Sequence, residues 1–294
     1  MRLVHTNMCV GMLIEDIDPV SPTVSEPLNF FATFLDSGLG YNAICVARSA
    51  LSSYLVLKDG VAFGQQKLVI RFIRGAFEMK PALPKYSNRW NVNVVLNYLE
   101  LLHPYSKLTL KELSQKLAML LALMSGQRCQ TILKLSSSSM KLSSSMCVFQ
   151  IASLLKQSRR GYHLAPIELM AYPDNSKLCI VAMLREYLAR TQDLRKDQDQ
   201  LLLSYQKPHH PVTKDTLARW LRNILNKSGL DTELFSAHRT RSASTSAAAR
   251  CGLPVDIIMK AAGWSAVSTF TRFYKKAPKQ NLGQTLLQSY LKKS

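Results

Sequence analysis

Only one stretch of this chain, residues 133–167, carries the pattern of β-strands; every other periodic segment repeats like a helix. The core must therefore be built from helices, with a small sheet set among them. Leu133 to Leu142 and Met146 to Leu155 contain alternating residues with many serines. Gln157-Ser158-Arg159-Arg160-Gly161 reads as a hairpin turn, and Tyr162 to Ile167 as the returning strand.

On either side the helical period is clear. From Glu26, the residues Leu28, Phe31, Phe34 and Leu35 share one face until Gly38 and Gly40 break the pattern. A second helix is expected from about Asn42 to Leu57. Leu68, Val69, Phe72, Ile73 and Phe77 stripe a third. These three form a small bundle, with Arg71, Arg74 and Lys80 free for a partner. The proline- and asparagine-rich stretch 80–91, with Trp90 inside it, is the best linker. Helices resume over Val92–Leu102, Leu108–Met124 and Leu178–Leu188. Thr213 caps a further helix with Leu217, Trp220, Leu221, Ile224 and Leu225 on one face. Ser236 is placed to cap a helix from about His238 to Gly252. Pro254 opens the next, which stops at Gly263. A last amphipathic helix spans about Leu282 to Leu291. The expected organisation is a flexible lead over 1–24, a helical domain over 25–84, and a larger domain over 85–294 whose tail helix occupies about 280–294.

Charge follows the same division. Residues 1–90 hold 9 Lys/Arg against 7 Asp/Glu, whereas residues 91–294 hold 29 against 12. The larger domain thus carries nearly all of the chain's net charge of +19. A polyanion is its natural partner. The six cysteines form no CxxC pair and the six histidines no HExxH, so the sequence offers no metal-ligand pattern and reads as a reduced, intracellular protein. Glu15, Asp16 and Asp18 fall where a secretory signal needs its cleavage region, and the apolar run Leu117–Met124 is too short to span a membrane.

The last quarter holds the densest chemistry. His238 and Arg241 lie one turn apart on one helix face. Arg241 can fork onto two phosphate oxygens, and His238 can move a proton near neutral pH. Trp264, after Gly263, brings one N–H donor on a rigid ring. Tyr274 stands among Arg272, Lys275 and Lys276, which favour its phenolate. No other tyrosine falls between residues 206 and 289, so Tyr274 has no local rival as a nucleophile. These groups point to breaking and rejoining DNA through a phosphotyrosine.

Five stretches together carry a resemblance: Leu123-Met124-Ser125-Gly126-Gln127-Arg128, Leu155-Lys156, His238-x-x-Arg241, Gly263-Trp264-Ser265 and Phe273-Tyr274. Over about residues 25–280 the chain resembles the tyrosine recombinases of the phage-integrase superfamily, and among them those of DIRS- and Ngaro-type retrotransposons. The resemblance implies a mainly α fold: an N-terminal helical core-binding (SAM-like) domain and an α+β catalytic domain with a small antiparallel sheet. It implies that Arg128 and Arg241 bind the non-bridging oxygens and that Lys156 protonates the departing 5′-oxygen, with Lys141 the alternative. His238 then takes the tyrosine proton or positions the phosphate, Trp264 donates where many relatives carry histidine, and Tyr274 attacks. It further implies strand exchange on double-stranded DNA without metal or cofactor, a homo-tetramer docked through the C-terminal helix, and a nuclear location. No small-molecule substrate or membrane is expected. One position departs from the pattern: Thr131 stands where relatives often carry an acidic residue. Two alternatives remain, a catalytically decayed or domesticated recombinase that only binds DNA, and a type IB topoisomerase acting as a monomer.

Overall fold

A computed structural model of the chain describes residues 23–53, 55, 57, 60–81, 90–151, 153–155, 158, 160, 165–237 and 239–264. They fall into two compact units, the first within Met1–Ser87 and the second within Asn88–Ser294.

In the first unit, α1 (Ser25–Asp36), α2 (Tyr41–Ser52) and α3 (Lys67–Met79) enclose one apolar core. Phe31, Ile44, Leu51, Phe63 and Val69 fill it, and the Phe31 and Phe63 rings meet edge-on at 5.6 Å. Helix α2 stops five residues short of the expected Leu57, yet Leu55 and Leu57 still point into the core. Burial therefore carried the apolar period past the helix end. Arg71 and Arg74 are exposed on α3, as expected. Lys80 is not free: its Nζ donates to the Leu35 carbonyl at 3.1 Å, closing α3 onto α1.

The second unit is built on α5 (Leu110–Ser125), buried along nearly its whole length. Thr109 starts it with a reciprocal capping box: its hydroxyl accepts from the Glu112 N–H, and the Glu112 carboxylate accepts from the Thr109 N–H. The Thr109 hydroxyl also donates to the Glu112 carboxylate at 2.7 Å, and this bond with that from the Thr109 N–H holds the carboxyl below the usual range. Helices α4 (Val92–Leu101), α7 (Ile180–Arg195) and α8 (Lys214–Lys227) close around the same core, α7 and α8 packing directly on α5. Trp90 departs from the sequence expectation. It is not a linker residue but lies 3% exposed in this core, and Asn91 after it caps α4.

The sheet has three antiparallel strands in the order β1 (Met140–Leu142), β2 (Met146–Phe149), β3 (Ile167–Met170). Phe149 pairs with Ile167 and Met140 with Phe149. The strands are shorter than the alternation suggested, because Ser136–Ser138 bond instead to Asp199 and Ser143–Ser145 form the β1–β2 turn. The third strand begins at Ile167 rather than ending there; residues 162–164 of the expected strand, and Gln157, Arg159 and Gly161 of the expected turn, lie outside the described residues. Mainly helical elements and this small antiparallel sheet match the expected fold class.

One buried cation crosses the core. The fully buried Lys116 donates to the carbonyls of Leu102 (2.6 Å) and Lys177 (2.8 Å), and its Nζ lies 4.7 Å from the Tyr105 ring centroid. Burial pulls its pKa down to about 8, against the smaller opposing pull of Glu100. The unfolded chain then keeps this proton to higher pH than the folded one, so stability from this group rises between pH 8 and about 10.5. The buried Cys147 thiol, pushed up to about 12, acts in the opposite direction but is common to both proteins in a comparison. Wild type minus Lys116→Met should therefore show a melting-temperature difference that grows across that pH window; calorimetric scans at stepped pH measure it.

Candidate active site

Gly126 ends α5 with φ +59°, a left-handed conformation that glycine adopts without a side-chain clash. The chain leaves it as Gln127 and Arg128. Arg128 is half-buried, with extended backbone, and its carbonyl accepts from the N–H groups of Thr131 and Ile132. These bonds open α6 (Cys129–Ile132), a single turn too short to leave a periodic signature.

Arg241 comes from α9 (Arg239–Arg250), whose sequence is mostly arginine, serine, threonine and alanine. Small side chains let it approach α5 closely. The Ser244 hydroxyl donates to the Leu123 carbonyl, and a Cβ built on Gly126 would stand 3.1 Å from Thr245 Cγ2. Thr245 lies one turn beyond Arg241. The Arg128 loop and the Arg241 helix are thereby locked in register at one point.

The third group arrives from α10 (Val255–Ala262), which packs on α9. Pro254 precedes its first turn and Gly263 ends it at φ +67°. The Gly263 N–H donates to the Lys260 carbonyl and the Trp264 N–H to that of Met259 at 2.9 Å, a closed helix terminus that folds the chain back. Trp264 lands 8% exposed, with the Arg241 guanidinium carbon 4.1 Å from its ring centroid. Arg241 is itself 3% exposed. A guanidinium held over an indole, away from water, has its position set by the ring. Beyond the N–H donor expected from the sequence, Trp264 offers its ring to the Arg241 guanidinium.

Three of the six candidate residues are thus placed. Arg241 and Trp264 touch, and the loop bearing Arg128 packs on both of their elements through Gly126 and through Gln127, whose Nε2 donates to the Ala261 carbonyl at 2.6 Å. Lys156, His238 and Tyr274 lie outside the described residues, as does the expected tail helix. Leu155 and Ser158, flanking Lys156, exchange two hydrogen bonds of 2.9 Å. Lys141, the alternative lysine, is exposed on β1. Thr131 is 2% exposed, so an acidic residue at this position would be buried beside the Arg128 loop. Sequence reasoning gave no role to Gln127, Ser244 or Thr245; the run of small residues was the only signal for the last two. Among the described residues no cluster of histidine, cysteine and carboxylate side chains could hold a metal ion, and no helix is long and apolar enough to cross a membrane.

The close fit at Gly126 makes a stability prediction. Gly126→Ala puts an L residue in the left-handed region and presses its Cβ on Thr245. It should cost about 1–2 kcal/mol, read as a shift in the urea midpoint. A midpoint unchanged from wild type would mean that the turn relaxes freely.

Residues 96–280 match the model of the phage integrase family. Among solved structures, the chain is similar to the XerH site-specific recombinase bound to its difH substrate, at 14% identity and a TM-score of 0.61, covering 96% of this chain and 75% of that one. It is similar to the Tn1549 transposon integrase in complex with circular intermediate DNA (13% identity, TM-score 0.55, 91% and 86% covered). It is also similar to a lambda integrase dimer bound to a COC′ core site (16% identity, TM-score 0.53, 95% and 74% covered). At such identities the likeness is one of fold. No curated protein matches the sequence.

Proposed function

The chain belongs to the phage integrase family, and on that premise we propose that it is a tyrosine recombinase that cuts and rejoins double-stranded DNA at specific sites. The observation that carries the reading is the buried Arg241 stacked on Trp264 and packed, through α9, against the Arg128 loop. A guanidinium held at Arg241, with a second carried by the adjoining Arg128 loop, suits the non-bridging oxygens of a phosphodiester, whose negative charge grows in the pentacoordinate transition state.

In the proposed reaction the Tyr274 oxygen attacks phosphorus and loses its proton to His238 or to water. The bond from phosphorus to the 5′-oxygen breaks, and that oxygen takes a proton from Lys156 and leaves as a 5′-hydroxyl. A 3′-phosphotyrosyl ester remains. A 5′-hydroxyl from a second duplex then attacks the ester, releasing tyrosine and restoring a phosphodiester. The ester conserves the bond energy, so no nucleotide hydrolysis is needed. The excess of cations in the second unit supports non-specific phosphate binding. The solved structures named above are recombinases and integrases recorded with DNA, one as a dimer, and another lambda integrase structure is a tetramer on a Holliday junction. By analogy this chain works as a tetramer, the Leu282–Leu291 segment docking on a neighbour. The motif resemblance favours integration of a retroelement in the nucleus.

A second reading, a decayed recombinase that keeps only DNA binding, draws on Thr131, where no carboxylate is available to orient Arg128. Nicked duplexes from the ends of the parent element separate the two. A species that survives denaturation and carries both protein and DNA, formed without added metal, supports the enzyme. Tight, salt-sensitive binding with no such species supports the decayed protein.

A further inference from the structure

We propose that Gln127 is a positioning residue that sets Trp264, and through it Arg241, against the Arg128 loop; the inference rests on the recombinase reading for its effect on rate. The last carbonyls of any helix lack partners within it. At the end of α10, Met259 and Lys260 are served by the Trp264 and Gly263 N–H groups, and Ala261 by the side chain of Gln127 alone among the described residues. Gln127 reaches across from a different part of the chain, 134 positions away in sequence. It is 3% exposed, and its own N–H is held by the Ser125 hydroxyl at 3.2 Å, which in turn donates to the Leu121 carbonyl at 2.6 Å.

The backbone of Gln127 is therefore fixed to α5 and its amide to α10. The next residue is Arg128. Three residues beyond Ala261 is Trp264, whose ring faces Arg241. One side chain thus spans the two arms of the site, and its length sets their separation. An apolar residue of the same size would fill the space but lose the bond to the Ala261 carbonyl, and with it the tie that holds the α10 terminus to the Arg128 loop. A displacement of about 1 Å in a positioning element can lower a rate about 100-fold. Substrate affinity, spread over many phosphates, would change little.

The test uses the full chain with Gln127→Met and Gln127→Glu; the second keeps the shape but, ionised, cannot donate to the Ala261 carbonyl. Four quantities are measured: the thermal midpoint, the Kd for a nicked duplex, the rate of covalent cleavage at saturating duplex, and the indole N–H resonances. The three tryptophans are Trp90, Trp220 and Trp264, so Trp264→Phe assigns the third peak. Folded variants should cleave about 10- to 100-fold more slowly with Kd within about twofold, and only the Trp264 resonance should move. An unmoved Trp264 resonance with a wild-type rate in either folded variant overturns the proposal, as does a loss of affinity and rate in step with falling stability. If wild type itself forms no adduct, the recombinase reading fails, and the Trp264 resonance alone decides whether Gln127 positions it.

Discussion

Arg241→Ala should lower the rate of covalent cleavage about 100- to 1,000-fold, the loss typical of removing one preorganised donor from developing negative charge. Duplex affinity should fall only a few-fold, because one phosphate contact among many is lost. Stability should change little. The buried guanidinium contributes a contact with the Trp264 ring worth about 2 kcal/mol when desolvated, but holding it 3% exposed carries an opposing desolvation cost. Arg241→Lys should rescue little, since an ammonium is a point charge without the planar fork and stacks poorly on an indole. Single-turnover cleavage, duplex binding and thermal unfolding of the three proteins check this together. If Arg241→Ala cleaves at the wild-type rate, the stacked pair is packing and the reading of the site fails.

Tyr274→Phe should have the largest effect. It removes a single oxygen, so folding and duplex binding should match wild type. Without that oxygen no phosphotyrosyl ester can form, and strand exchange should drop by at least about 10,000-fold, to the limit of detection. Tyr290 is sixteen positions away in the sequence, too far along the chain to serve by a small shift of register. Recovery of even a few per cent of adduct in Tyr274→Phe would assign the attack to another group.

The helical parts of this fold were legible because their signals are local. Thr213, Gly126 and Gly263 mark ends that the structure keeps, since capping depends on a few neighbouring atoms; the Asn91 cap and the Thr109–Glu112 box emerge only in the structure. Trp90 was misread because prolines and asparagines around it carry the linker signal, while its burial depends on distant residues such as those of α5. The serines of 136–145 were misread for a related reason. Alternation suggests strand, but Asp199, more than fifty residues on, draws Ser136, Ser137 and Ser138 out of the ladder. The site divides in the same way. Arg128, Arg241 and Trp264 stood out as residue types in a familiar spacing. That Arg241 lies on the face of Trp264, and that Gln127 ties the Arg128 loop to Ala261, arises only when α5, α9 and α10 meet.

The central claim, a covalent tyrosine ester on DNA, is tested most directly by finding the modified residue. Wild-type protein would be trapped on a nicked duplex without added metal, the DNA trimmed with nuclease, and the tryptic peptides read by tandem mass spectrometry. The expected result is a single modified peptide with a 3′-linked nucleotide phosphate on Tyr274, absent from Tyr274→Phe. A nucleotide on any other side chain, or a 5′ linkage, would contradict the account.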